Sequence, residues 1–304
     1  MVKVFIDGKE GTTGLRIFER FAVRNDAEIL LIEEEKRKDP ERRRELINSS
    51  DITFLCLPDD SARESVSLVE NEKTVIIDTS TAHRTADGWS YGFPELSPKH
   101  KENIINGKRI AVPGCHATGF ISLVYPLVKS GLLSEDALVS CFSLTGYSGG
   151  GKKMIAQYRS EDAPDSPGQY GLTQQHKHLK EMTAICGLKN PPIFSPIVAP
   201  YYSGMSVSVP LHASLLGGLT AQQVEEFYKT YYAGSRFISV KQPEGLIYGG
   251  TYSGYDGMVI SVVGNDERIV LTSNFDNLGK GASGAAIQCF NLITGADETT
   301  ALDI

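Results

Sequence analysis

The stretch VKVFIDGKEGTTG, residues 2–14, decides the fold. Val2–Asp7 is a short apolar run, glycines at 8, 11 and 14 follow it three apart, and Leu15, Phe18, Phe21 and Ala22 then recur at helical spacing. A strand that ends in such a turn and enters a helix lets backbone approach a pyrophosphate, which the helix N-terminus stabilises. Three glycines in seven residues also suit an ordinary turn. The continuation favours a dinucleotide: apolar strands at Ala27–Ile32, Ile52–Leu57 and Thr74–Asp78 alternate with helix starts at Asp39-Pro40 and Ser61. This rhythm predicts an α/β fold with a Rossmann-type, doubly wound parallel sheet. Gly8, Gly11, Thr12, Thr13 and Gly14 are its expected cofactor contacts.

The residues alone leave the form of the dinucleotide open. Glu33 lies about 20 residues past the turn, where an acid binds the ribose hydroxyls of NAD. Lys36, Arg37 and Lys38 follow it and suit the 2′-phosphate of NADP, or are simply a solvated charge run.

After Cys115 the rhythm changes. A helix over Thr118–Lys129 leads to strand-like runs at Ala137–Thr145, Ile193–Ala199, Ser206–Leu211, Phe237–Lys241, Met258–Val263 and Ile269–Phe275. Thr220 and Gln223 form a capping box for a helix that runs to Gly234. Strands following strands predict a second, α+β domain with a mixed or antiparallel sheet. The last helix, Lys280–Thr294, is free to return to the first domain. A length of 304 residues suits this division: 1–115 plus 278–304 for the dinucleotide, 116–277 for substrate.

Composition narrows the function. Lys plus Arg number 30 against 37 Asp plus Glu, a net charge of −7, so the whole-molecule field repels polyanions and no nucleic-acid partner is expected. An anionic substrate must be held locally. The opening residues lack signal-peptide order, and no apolar run approaches the ~20 residues of a membrane span, so a cytoplasmic chain without a membrane partner is expected. The five cysteines are scattered and odd in number, which fits a reducing compartment.

One thiol stands apart. Cys115 lies in VPGCHATG, between a Pro-Gly turn and a helix expected to start near Ala117 or Thr118, where N–H groups and the helix dipole favour a thiolate. The same N–H groups suit an oxyanion. Cys56, Cys141, Cys186 and Cys289 lie in apolar strands or helices and read as inert packing. A nucleophilic cysteine needs a base. His176 and His178 are the candidates, although on a regular helix residues two apart point about 200° apart and cannot serve one ligand. His178 and Glu181, three apart, share a face, so the carboxylate can orient the imidazole. No third His or Cys stands near in sequence, and no metal is expected.

A glycine turn, an activated cysteine and a distant histidine together suit an acyl-enzyme dehydrogenase. The chain resembles the N-acetyl-gamma-glutamyl-phosphate reductases, in their shorter class, within the semialdehyde dehydrogenase superfamily. The resemblance rests on GKEGTTG (8–14), IAVPGCHATGF (110–120), HKHLKE (176–181) and NLGKGASGAAIQ (277–288). It implies NADP-dependent reductive dephosphorylation of an acyl phosphate to a semialdehyde in arginine biosynthesis, and a homo-oligomer. Cys115 matches the family's nucleophile, His176, His178 and Glu181 its H-x-H-x-x-E element, and Tyr170 a tyrosine just before it. Two departures stand out. His116 replaces the aromatic residue that commonly follows the cysteine, which would place another base beside the thiol. DTSTAHR (78–84) differs from D-x-S-x-D-F-R, though Ser80 and Arg84 still match.

The implied chemistry is attack by the Cys115 thiolate on the acyl phosphate, loss of phosphate, hydride delivery from NADPH to the thioester, and collapse assisted by His178 or His176. Arg84, Lys152 and Lys153 are the candidate receivers of phosphate. The run Gly146–Lys153 either brings backbone N–H groups to substrate or nicotinamide, or is a flexible loop. Asn277 and Gln288 are expected at the nicotinamide, with Gly281 and Gly284 allowing close packing beneath it. The rivals are a related acyl-phosphate reductase (aspartate-semialdehyde or aminoadipyl type), a non-catalytic dinucleotide sensor, and a cysteine hydrolase.

Overall fold

The structure is a computed structural model that describes all 304 residues. The chain divides into two compact units, Met1–Gly114 with Ala282–Leu302, and Cys115–Gly281 with Asp303–Ile304. The first begins β1 (Val2–Asp7), α1 (Thr12–Phe21), β2 (Ala27–Leu30), α2 (Pro40–Ser49), β3 (Ile52–Leu55), α3 (Asp59–Ser67) and β4 (Val75–Asp78). It continues with β5 (Ser90–Tyr91), α4 (Pro98–Asn106) and β6 (Arg109–Ala111). Every pairing is parallel, in the order β2-β1-β3-β4-β6-β5, as the doubly wound reading predicts.

Strand alternation sorts the side chains between two cores. Val4 and Ile6 of β1, Phe54, Ile77 and Ile110 face the helix Gly284–Thr294, whose Ala286, Ile287 and Phe290 close that layer. Phe5, Leu55 and Ile76 face the other way, onto Leu46 and Ile47 of α2. Each such apolar side chain contributes about 1.5–3 kcal/mol when fully buried. The inward face of α1 differs from the sequence expectation. Gly14, Ile17 and Phe21 turn inward and Leu15 is 46% exposed. The glycine turn explains the rotation: a Cβ on Gly14 would stand 2.4 Å from the Gly8 carbonyl oxygen, so residue 14 lies against the turn and 17 and 21 follow it.

The second unit begins with α5 (Cys115–Lys129), β7 (Ser140–Gly146), α6 (Gly151–Tyr158), β8 (Gly168–Gln169) and α7 (His178–Cys186). Then come β9 (Ile193–Ala199), β10 (Met205–His212), α8 (Ala221–Tyr231), β11 (Ile238–Val240), β12 (Met258–Gly264) and β13 (Arg268–Phe275). Its mixed sheet runs β11-β12-β13-β10-β7-β9-β8, with β7/β9 and β11/β12 parallel and the other pairs antiparallel. Helix α5 lies close on this sheet because residue 119 is glycine; a Cβ there would meet Val207 at 2.4 Å. The Tyr232 hydroxyl donates to the Ser122 carbonyl at 2.7 Å and pins α8 to α5. The expected capping box of α8 is present.

The opposite sheet face is open. Phe142, 49% exposed, stands on it beside Ser208 and Ser195, with Ile193 further along. After β13 the chain makes a π-helical turn over Gly279–Ser283, so the regular last helix, α9, starts at Gly284 rather than at the expected Lys280. No helix is long and apolar enough to cross a membrane.

Candidate active site

The glycine turn is built by backbone against backbone. Gly8 has φ +88°, and a Cβ there would stand 2.4 Å from the Cys56 carbonyl oxygen. Any side chain would collide with β3's exit and strain the backbone. The Gly11 N–H closes the turn on the Gly8 carbonyl at 3.0 Å, and α1 starts at Thr12 and Thr13 with no side-chain cap on its first N–H groups. That is the geometry a pyrophosphate requires. A cavity of about 350 Å³ opens here, lined by the turn, Leu31, Ile32, Arg37, Lys38 and Cys56. The residues present fit a dinucleotide.

The ambiguous charges now separate. Glu33 is tied to the Arg42 guanidinium at 2.9 and 3.1 Å, and that pairing lowers its carboxyl below the usual range. It is absent from the cavity lining, whereas Arg37 and Lys38 are part of it. This disposition suits a 2′-phosphate better than bare ribose hydroxyls. Cys56, read from sequence as strand packing, also lines the cavity, and burial pushes its thiol up to about 12. Beneath the turn, Asp7 is 4% exposed, 3.1 Å from Arg43 Nε, and accepts from Ser65 Oγ at 2.8 Å. Burial raises its pKa although Arg43 opposes the rise. Sequence reading missed this pair. The available signal was an arginine at 43 on the same helical face as Leu46 and Ile47.

In the loop after β4, Asp78 gathers its neighbours. It accepts from Ser80 Oγ at 2.7 Å and lies 2.7 Å from His83 Nδ1, while the His83 ring stacks on Trp89. Ser80 Oγ also accepts from the Ala82 N–H, which makes Ser80 a brace of its own loop. Arg84 is 9% exposed and donates to the carbonyls of Val112, at 2.9 Å, and Thr79, at 3.1 Å.

Cys115 is the first residue of α5, two to three residues earlier than the start expected from sequence, and it is partly buried. Gly281 crosses it so closely that a Cβ would meet the Cys115 Cβ at 2.9 Å. The histidines also differ from expectation. Helix α7 begins at His178, so His176 lies in the preceding turn and the 200° separation of a regular helix does not apply. Their rings come within 4.7 Å, centroid to centroid. The backbone N–H of His178 donates to His176 Nδ1 at 3.2 Å, which leaves the N–H of a neutral His176 on Nε2. His178 Nε2 and Glu181 Oε1 are 4.0 Å apart, both residues being buried.

His116 joins this group, its ring 5.7 Å from His176, 5.5 Å from His178 and 5.3 Å from Phe194. It does not stand as a second base beside the thiol. Its Nδ1 is 2.6 Å from Ser143 Oγ and its Nε2 is 2.6 Å from the Tyr170 hydroxyl, and burial pushes its pKa down to about 3. Tyr170 is held protonated, first by burial and then by the charge a Cys115 thiolate carries. One unit therefore brings together Cys115, His116, Tyr170, His176, His178 and Glu181. Ser143 and Phe194 complete the group, and neither carries a sequence motif.

The remaining candidates are placed as follows. Gly146–Gly150 is a fixed turn: the N–H groups of Gly146, Tyr147 and Ser148 donate to the carbonyls of Gly204, Tyr201 and Tyr202. Asn277 braces it, accepting from the Gly204 N–H at 2.8 Å and donating to Ser148 Oγ at 3.0 Å. Lys152 and Lys153 are exposed on α6. Gln288 is fully buried in α9 and donates to Glu95 at 2.7 Å.

The two units coincide with two family models. Residues 4–104 match "Semialdehyde dehydrogenase, NAD binding domain", and residues 115–277 match "Semialdehyde dehydrogenase, dimerisation domain". Full-length relatives include an N-acetyl-gamma-glutamyl-phosphate reductase 2 of Nostoc sp., 42% identical with 99% of each chain covered. Another is the N-acetyl-gamma-glutamyl-phosphate reductase of a Chelativorans species, 44% identical, covering 96% of this chain and 97% of the relative. Among solved structures, the aspartate semialdehyde dehydrogenase of Francisella tularensis shares the fold: TM-score 0.74, 16% identity, 97% of this chain and 100% of that one. With its glycine turn, its cysteine-headed helix and sequence identity running the whole length, the chain belongs to the semialdehyde dehydrogenase family.

Proposed function

We propose that the protein reduces N-acetyl-γ-glutamyl phosphate to N-acetylglutamate semialdehyde with release of phosphate, using NADPH. The observation that carries this reading is the 41–44% identity, over almost the whole of both chains, to reductases of that name. The clustering of Cys115 with the histidines supplies the means. The thiolate of Cys115 attacks the acyl carbon, the C–O bond to phosphate breaks with its electron pair leaving on phosphate, and a thioester forms. The bound dinucleotide supplies the hydride that reduces this thioester. N–H groups at the head of α5 stabilise negative charge on the substrate oxygen, and His178 or His176 exchanges the proton as the aldehyde separates from sulfur. Glu181, 4.0 Å from His178 Nε2, is the proposed orienting carboxylate for that ring. Lys152, Arg84 and Tyr170 are the proposed substrate contacts. A second copy of the chain is the proposed partner, docking on the open sheet face around Phe142. Five free thiols suit a cytoplasmic setting.

The reverse reaction tests the assignment. With N-acetylglutamate semialdehyde and phosphate, NADP should be reduced at a rate that aspartate or aminoadipate semialdehyde does not match. Turnover without phosphate, or equal rates with NAD, contradicts the reading.

A further inference from the structure

We propose that His116 is a positioning residue, which turns the hydroxyl proton of Tyr170 toward the reacting centre at Cys115. The proposal rests on Cys115 being the nucleophile. His116 follows Cys115 directly on α5, is 3% exposed, and sits against Phe194 and His176 with both ring nitrogens engaged. A ring this deeply buried stays neutral and carries one N–H, so it donates from one nitrogen and accepts at the other. Placed between two hydroxyls, it forces a one-way chain.

Only two orders exist. In the first, Tyr170 donates to His116 Nε2 and turns oxygen lone pairs outward. In the second, the Ser143 O–H donates to His116 Nδ1, the His116 Nε2–H donates to the Tyr170 oxygen, and the phenol proton is left to point outward. Charge decides between them. A thiolate at Cys115, and then an oxyanion on the attacked carbonyl, repels lone pairs and attracts a proton. The second order therefore prevails whenever the site is charged for reaction. Ser143, fully buried on β7, anchors the far end of the chain.

The test separates this proposal from the function assigned above because one of its readouts needs no substrate. Cys115 alkylation by iodoacetamide is followed against pH, alongside kcat in the reverse reaction. A hydrogen bond to a charged group is roughly twice as strong as a neutral one, so His116→Phe should raise the alkylation midpoint by about one pH unit. It should also lower kcat by about tenfold, a part of the 10²–10³ carried by a full oxyanion donor, with KM little changed. Tyr170→Phe should do at least as much. In the double variant, His116→Phe should add nothing, and His116→Gln, which keeps an N–H toward Tyr170, should restore most of the loss. Ser143→Ala, which leaves ring volume intact, should give a smaller shift in the same direction. Additive effects in the double variant, or an unmoved midpoint in His116→Phe, overturn the proposal even if turnover proceeds as assigned. Shifted, non-additive alkylation in a protein that fails to reduce NADP would uphold it and sink the substrate assignment instead.

Discussion

At the Gly8–Gly14 turn the protein presents backbone, whereas around Cys115 it gathers side chains drawn from residues 115–116, 143, 170, 176–181 and 194. At Gly8 and Gly14 the first region tolerates no side chain, because an added carbon would stand 2.4 Å from a carbonyl oxygen. The second depends on which side chains are present and on how deep they lie. Backbone recognition needs consecutive residues and leaves a spacing in the sequence. Side-chain chemistry is assembled through space and leaves little.

Substitutions that act on one region and spare the other test this contrast. The largest effect belongs to Cys115→Ser, which should lower kcat by about 10⁴-fold or more while NADPH binding, read by fluorescence, stays within twofold. Lost binding would mean the two regions are not separable.

Next comes acid. The folded pKa of His116 is pushed down to about 3 from an ordinary 6.5, so the unfolded chain takes the proton first. Its contribution to stability is fully present above pH 6.5 and is lost as pH falls toward 3, on the order of 4 kcal/mol. Thermal unfolding of His116→Phe should show a flatter acid limb than the wild type; parallel limbs would place the buried charge elsewhere.

Gly8→Ala should destabilise by about 2–3 kcal/mol and weaken dinucleotide binding at least tenfold. The pH profile of Cys115 alkylation should not move. The smallest effect is expected from Arg37→Ala with Lys38→Ala. Both side chains are partly or largely solvated, so the preference for NADPH over NADH should fall only about tenfold, and less at high salt.

The contrast also explains what the sequence disclosed. The parallel sheet, the dinucleotide turn and the mixed second sheet follow from local period and glycine spacing, and the structure has all three. The apolar set of α1 marks its inward face only in part: Phe21 is buried, while Leu15 is exposed because the close approach of Gly14 sets the rotation. A regular helix through 176–178 would turn the two histidines apart, but the helix starts at His178 and leaves His176 outside it. His116 looked like a spare base because burial and two hydrogen bonds from residues 27 and 54 positions away leave no local mark. Arg43 was overlooked for the same reason, its partner Asp7 lying 36 positions upstream.

The helix that closes the first core is also the one made last. Phe290 of α9 packs against Phe21 and Phe54, with ring centroids 5.0 and 6.1 Å away, yet 167 residues lie between Gly114 and Ala282 on the ribosome. At about 5–20 residues per second, that interval is roughly 10–30 s. Throughout it the dinucleotide half stands with one side of its sheet covered only in part, by Ile17 and Phe21 of α1 and Ile104 of α4, and a frameshift or nonsense codon anywhere in the second half leaves it so permanently. Loss of a short C-terminal stretch should therefore send the chain to proteases or chaperones, although every residue of the nucleotide turn has already been made.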